Sequence, residues 1–224
     1  ALNAGVRIYE VLISPYLFRN ARGRTLYERL VAAGIELYGV TEEILGYVAD
    51  TDTPQGAVAI VGIPDSDLCL HGSPLVVLAD EIRDPGNLGT LIRSADAFGL
   101  SGMILSGDVV DPFNSKCVRA TMGSIFRVPL VSFKRAEDSI KFLKGHEFSV
   151  LAADIRADTT CYDYDFRGKC GILVGSEAHG LTCEILKLCD QTVRIPMIGD
   201  AESLNAGVAG SILMYEAYRQ RRSE

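Results

Sequence analysis

The sequence has no tryptophan, only three histidines, and no apolar run near the ~18 residues needed to cross a bilayer. The missing run excludes a membrane-spanning helix. None of the six cysteines forms C-x-x-C and the histidines are scattered, so neither a zinc site nor any other metal site is expected. The G-x-G-x-x-G fingerprint and the P-loop are absent too. Nor is there a basic surplus, since 22 Lys and Arg face 29 Asp and Glu for a net charge of −7. Proteins that coat long nucleic acid non-specifically usually carry such a surplus. Any nucleic-acid contact here must come from a local patch.

What is present is an ordinary globular composition, with 48% hydrophobic and 23% charged residues, which argues against disorder, collagen and coiled coil. The 224 residues allow one or two domains. Cys69, Cys117, Cys161, Cys170, Cys183 and Cys189 do not read as a disulfide framework. Several lie in apolar surroundings, which suits reduced packing residues of a cytoplasmic protein. No signal peptide is read, and the start at Ala1 without Met reads as incomplete.

Short apolar strands alternate with helical patterns. In the first part, Val6–Ser14, Ile35–Val40 and Ala57–Gly62 read as strands, the last of a buried type. Thr25–Gly34 and the Thr41-capped Thr41–Val48 read as helices, giving a small βαβαβ unit. Arg19–Arg24 has loop chemistry. Four Arg lie close together there (Arg19, Arg22, Arg24 and Arg29), either as a solvated face or as a phosphate-binding patch. Residues 63–72 read as a linker.

From residue 73 the alternation resumes. Strands are read at Leu75–Ala79, Gly102–Leu105, Val128–Val131, Phe148–Ala153, Gly171–Val174 and Thr192–Ile195. Helices are read at Asn87–Phe98, Asn114–Ile125, Ala136–Lys144, Thr182–Leu188 and Ser203–Arg221. This predicts a mostly parallel sheet covered on both faces.

Three stretches carry polar residues where loops leave strand ends, the usual place for ligands in open α/β sheets. The first is D-P-G-N-L-G-T-L-I-R-S-A-D-A-F-G at Asp84–Gly99. Asn87 is placed to cap a helix, and Arg93, flanked by apolar positions, is expected to be partly sheltered. The plain alternative is a cap and a surface Arg. The second is L-V-G-S-E-A-H-G-L at Leu173–Leu181, where Gly175 lets a ligand approach the backbone and Glu177 follows at a corner. A simple turn would look the same. The third runs from Ile195 through Pro196 and Met197 to S-L-N-A-G-V-A at Ser203–Ala209, with Ser203 as the expected N-cap. Its small residues would also suit a tightly packed helix.

In this order the three stretches resemble the signature motifs of the SpoU-type (TrmH-like) RNA 2′-O-ribose methyltransferases of the SPOUT class, over about residues 73–221. Residues 1–62 resemble the small RNA substrate-binding module found before such catalytic domains, itself similar to a ribosomal-protein fold, with T-P-Q-G-A-V-A at Thr53–Ala59 typical of its end. The resemblance implies a trefoil-knotted α/β catalytic domain at 73–224 that binds S-adenosylmethionine, needs no metal and works as a homodimer through the C-terminal domain. It puts Gly175, Ile195 and Leu204, with Leu173 and Pro196, around the methyl donor. It puts Arg93 at ribose activation, and Asn87, Glu177, Ser203 and Asn205 at the other polar motif positions. One departure stands out: where the family often has Val-Ser-Val-Ala after the asparagine, this chain has Ala206-Gly207-Val208-Ala209.

The implied substrate is ribosomal RNA, of the 23S type, because the extra N-terminal module accompanies rRNA enzymes. A tRNA 2′-O-methyltransferase and a non-catalytic RNA-binding homologue are the rivals. A nicotinamide-dependent oxidoreductase would fit the alternation but lacks the glycine fingerprint. Arg19, Arg22 and Arg24 are the candidate RNA contacts.

Overall fold

Residues 1–64, 66–72, 74–176 and 179–222 are described by the computed structural model. The chain divides into two units, Ala1–Pro64 and Asp65–Glu224.

In the first unit, β1 (Ile8–Ile13), β2 (Glu36–Gly39) and β3 (Ala57–Val61) form a sheet in the order β2-β1-β3. Helix α1 (Ala21–Ala32) joins the parallel pair β1 and β2, and α2 (Glu42–Val48) leads to β3. The expected βαβαβ order is present, but β3 runs antiparallel to β1; apolar patterning carries no strand direction. Val11 and Ile13 pack with Leu17 and Leu30 on one face. The other face is open: in-register Leu12, Tyr38 and Val58 lie there, and Ile60 is 56% exposed. So β3 is not the buried strand its apolar run suggested.

The Arg19–Arg24 stretch is not a loop. A 3-10 turn covers Pro15–Arg19, and α1 starts at Ala21, because the Asn20 side chain accepts from the Gly23 N–H at 2.8 Å and caps it.

The second unit is a six-stranded, wholly parallel sheet in the order β6-β5-β4-β8-β7-β9. Its strands are β4 (Leu75–Asp80), β5 (Gly102–Ser106), β6 (Leu130–Phe133), β7 (Ser149–Ala153), β8 (Cys170–Val174) and β9 (Gln191–Val193). Its helices are α3 (Pro85–Ala97), α4 (Ser115–Ala120), α5 (Ala136–Gly145), α6 (Cys183–Leu188) and α7 (Ala206–Arg221). Alternate residues of one strand serve two cores. Val77 and Ala79 join Leu88, Leu91, Leu213 and Met214 of α3 and α7, whereas Val76 and Leu78 join Ile140, Leu143 and Ile185 of α5 and α6. Burial on both faces is why these strands read as unbroken apolar runs.

Helix α4 stops at Ala120, short of the expected Ile125, where Met122 and Gly123 take left-handed φ values of 51° and 90°. Strand β6 accordingly starts at Leu130 instead of Val128. Cys117, Cys161 and Cys170 are buried packing residues, and Cys69 and Cys183 are exposed. No helix among the described residues is long and apolar enough to cross a membrane.

Candidate active site

The chain order of the parallel sheet reverses between β4 and β8, and a cleft of about 380 Å³ opens at the carboxyl ends of β7, β8 and β9. Its walls are the strand ends Ala153, Val174 and Val193, the loop residues Gly175, Ser176, Ile195 and Met197, and the approach to α7 at Ser203 and Leu204. Ser176 pairs with Gly180, whose N–H donates to the Ser176 carbonyl at 3.0 Å. A Cβ on Gly175 would lie 2.7 Å from the Gly180 carbonyl carbon and 2.8 Å from Leu181 Cδ2, so no other residue fits without moving Gly180 and Leu181. The cleft thus offers apolar walls and bare loop backbone. Its rim is charged. Asp154, just past β7, is gripped by Arg156 through Nε at 3.1 Å and Nη2 at 2.8 Å. The Arg156 guanidinium holds the Asp154 carboxyl below the usual carboxylate range.

A second polar cluster lies where α3 crosses α7. The nearly buried Asn87 side chain accepts from Asn205 Nδ2 at 2.7 Å, and Asn205 Oδ1 accepts from the Val208 N–H at 3.1 Å. One helical turn and more along, the Ser94 and Ser211 hydroxyls pair at 2.7 Å, and the Ser211 hydroxyl donates to the Gly207 carbonyl at 2.6 Å. The helices approach closely because Gly207 lacks a side chain: a Cβ there would sit 3.2 Å from the Asn87 carbonyl oxygen, Asn205 Oδ1 and Thr90 Cβ. The glycine that departs from the family pattern therefore fits this helix contact.

Both expected caps shift. Asp84, not Asn87, caps α3 by accepting from the Asn87 N–H at 2.8 Å, since Pro85 occupies the first helical position and leaves the residue before it as cap. Asn205, not Ser203, caps α7, so Ser203 stays in the loop, where it lines the cleft.

Gly175, Ile195, Ser203 and Leu204 thus share the cleft, while Asn87 and Asn205 meet beside it at the α7 start. Leu173 does not line the cleft. It is fully buried in the α5–α6 core, and its neighbour Val174 takes the wall because strand residues alternate faces. Pro196 is half-buried between the lining residues Ile195 and Met197. Arg93 is not sheltered: it stands exposed on α3 with no hydrogen-bond or ion-pair partner among the described residues. Glu177 lies outside the described residues. Arg22 and Arg24 are exposed on the first turns of α1, and Arg19 is paired with Glu42 at 2.9 Å. Sequence reasoning missed Asp154 and Arg156. The signal was a charged D-I-R directly after a strand.

Away from the cleft, Asp80 ends β4 and accepts from the Ser106 hydroxyl at 2.9 Å, while burial pushes its carboxyl above the usual range. Among the described residues no group of three or more His, Cys, Asp or Glu could hold a metal ion.

Known proteins resemble both units. Residues 74–215 match the SpoU rRNA Methylase family. A 23S rRNA (uridine(2479)-2′-O)-methyltransferase of Streptomyces viridochromogenes is 37% identical over 77% of this chain, and the match spans 63% of that relative's length. RlmP of Bacillus subtilis, a 23S rRNA (guanosine(2553)-2′-O)-methyltransferase, is 31% identical over 93% of this chain and 84% of its own. Among solved structures, the SpoU methyltransferase AviRb of S. viridochromogenes in complex with AdoMet is 31% identical. It superposes with a TM-score of 0.88 over 100% of this chain and 87% of its own.

Proposed function

The chain belongs to the SpoU rRNA Methylase family, and from that premise we propose that it transfers a methyl group from S-adenosylmethionine to a ribose 2′-hydroxyl of 23S-type ribosomal RNA. The observation that carries this reading is the meeting of the second and third motif stretches, through Gly175, Ile195, Ser203 and Leu204, in one cleft at the sheet's carboxyl edge.

The residues present fit the donor. The cleft falls in the ~300–1,000 Å³ range of small-molecule sites. Val174, Leu181, Ile195 and Leu204 give apolar walls for a purine, loop backbone can meet its polar edges, and the Asp154–Arg156 rim suits the charged remainder. The donor supplies an electrophilic methyl group on a sulfonium sulfur. The protein's own tasks are to hold the 2′-oxygen in line and to ease loss of its proton. A guanidinium is a cation with a planar fork of donors and no acceptor, so Arg93 is suited to favour negative charge on the ribose oxygen or to hold a neighbouring phosphate, not to act as the base. Asn87 and Asn205 keep the start of α7, and with it the Ser203–Leu204 wall, in place. Glu177 is assigned a polar role by its motif position alone.

In the same reading residues 1–62 are the RNA-binding domain, 63–72 a linker and 73–224 a trefoil-knotted catalytic domain. Arg22 and Arg24 support the first assignment. Cations in the opening turns of a helix oppose its dipole, so they serve the local fold poorly and a phosphate well. A homodimer through the catalytic domain is supported by α7, on which Val208 is 44% and Tyr215 52% exposed. Light scattering of the full chain at micromolar concentration tests it: a monomer that methylates RNA refutes the dimer alone. The bacterial rRNA methyltransferases among its relatives support a cytoplasmic place of work in this reading.

The test of the donor site is a thermal-shift comparison. S-adenosylhomocysteine should raise the melting temperature and NAD⁺ should not, with the rise lost in Gly175→Val. Stabilisation by NAD⁺ alone would return the oxidoreductase reading.

A further inference from the structure

The turn that ends α4 is built at some conformational cost and then left bare. Met122 adopts φ 51°, a left-handed conformation that a long side chain rarely takes, and it is 72% exposed. Strain of this kind persists only where the surroundings enforce it, and it concentrates at functional positions. The surroundings here are firm. The Met122 N–H donates to the Arg119 carbonyl at 3.1 Å, and the buried Thr121 hydroxyl donates to the Val118 carbonyl at 2.7 Å. On the far side, the Ser124 hydroxyl donates to Asp96 Oδ2 at 2.8 Å, and Arg127 Nε reaches the same carboxylate at 3.0 Å.

Both anchors of this turn lie on α3. A Cβ on Gly89 would come within 2.4 Å of Ala120 Cβ, so α3 touches the turn at Gly89, and Asp96 holds it again at Ser124. Arg93 is four residues after Gly89 and three before Asp96, so it belongs to the same side of the helix. The Ala120–Ser124 turn, with Met122 at its tip, therefore runs past the exposed Arg93, which has no partner among the described residues. Across α3, the flank bearing Asn87, Leu91 and Ser94 is covered by α7. Between the two flanks α3 exposes Gly86, Thr90, Arg93 and Ala97, a low floor with a single cation.

We propose that Met122 is a substrate-contacting residue, its side chain lying against the face of an RNA base at or next to the target nucleotide while Arg93 engages that nucleotide's ribose or phosphate. The proposal rests on the methyltransferase reading. A cation beside a protruding apolar side chain matches the two faces of a nucleotide, an anionic backbone and a flat base. A thioether is polarisable and favours aromatic contacts, and contacts of side chains with base faces tolerate any sequence.

The test uses the full chain and rRNA from a strain lacking the gene, comparing wild type with Met122→Gly and Met122→Leu. Glycine removes the side chain and suits the left-handed backbone, so Met122→Gly should melt at or slightly above the wild-type temperature. Its S-adenosylhomocysteine affinity and its oligomeric state should be unchanged, while kcat/KM for RNA falls about tenfold. Met122→Leu should stay within about threefold of wild type. Transfer by Met122→Gly within about twofold of wild type overturns the proposal. So does a drop in oligomeric state, which would make a second copy of the chain the occupant. Equilibrium binding to the same RNA is read in parallel. If the wild type transfers no methyl group at all, the methyltransferase reading fails, and unaltered RNA affinity in Met122→Gly then rejects the Met122 contact as well.

Discussion

The two units place their polar residues in opposite ways. In the second unit Asn87, Ser94, Asn205 and Ser211 are drawn into bonds between α3 and α7, and the cleft walls are strand ends fixed by a sheet buried on both faces. In the first unit one face of a three-stranded sheet is open, and Arg22 and Arg24 stand in solvent without partners among the described residues. Under the proposed function the contrast follows from the tasks. In-line transfer needs groups held in place before the substrate arrives, whereas attraction of a polyanion needs only accessible charge within a Debye length. Arg93 is the exception, an exposed cation on a rigid helix, and the account gives it the chemistry.

The largest effect should come from that exception. Arg93→Ala is expected to lower methyl transfer about 10²–10³-fold, as loss of a charge-stabilising donor does elsewhere, with S-adenosylhomocysteine affinity unchanged by calorimetry. Arg93→Lys should also be poor, because Lys lacks the planar fork. Near-normal turnover of Arg93→Ala would erase the distinction between the units. The α3–α7 contact comes next. Gly207→Val forces atoms into the contact with Asn87 and Thr90 and should destabilise by about 1–3 kcal/mol in urea unfolding, with donor binding weakened as the Ser203–Leu204 wall shifts. An unchanged midpoint would mean that the helices are not tightly matched.

For the first unit the expected change is in binding alone. Neutralising Arg19, Arg22 and Arg24 together should weaken RNA affinity and flatten its log–log salt dependence by about 2–3, with donor affinity and melting temperature kept. An intact salt slope would restore the solvated-face reading of these arginines. The smallest effect concerns Asp96, whose carboxyl Arg127 holds below its ordinary value of 3.8. A lowered folded value means that the pair's stabilisation is present above 3.8 and is lost as pH falls through the lowered value. Asp96→Asn should therefore cost under about 1 kcal/mol at neutral pH, since Arg127 is half exposed, and the gap to wild type should close as pH drops below that range. A gap that widens in acid would reverse the assignment.

Much of the second unit was legible because β4, β5 and β8 are buried on both faces and so appear as continuous apolar runs between loops of distinct chemistry. The same double burial hid which side chains face the cleft. Leu173 and Val174 are both apolar, and only the structure separates the core residue from the wall. The caps were misjudged where two good capping residues stand close together, Asp84 with Asn87 and Ser203 with Asn205; Pro85 held the information that favours Asp84. Arg93 looked sheltered because its neighbours in sequence are apolar, but those neighbours turn toward the sheet and α7, leaving it outside. The open face of the first unit and the direction of β3 had no signal in apolar patterning at all.

The central claim is that this cleft and Arg93 serve methylation of a ribose 2′-oxygen in ribosomal RNA. The direct measurement is transfer of labelled methyl from S-adenosylmethionine by the purified chain to rRNA lacking the mark, followed by alkaline hydrolysis. A 2′-O-methyl group blocks cleavage at its own phosphodiester. The account predicts label in alkali-resistant dinucleotides from 23S rRNA, lowered about 10²–10³-fold with Arg93→Ala. Label in alkali-released mononucleotides, or, with tRNA offered in parallel, label in tRNA and not in rRNA, would contradict it.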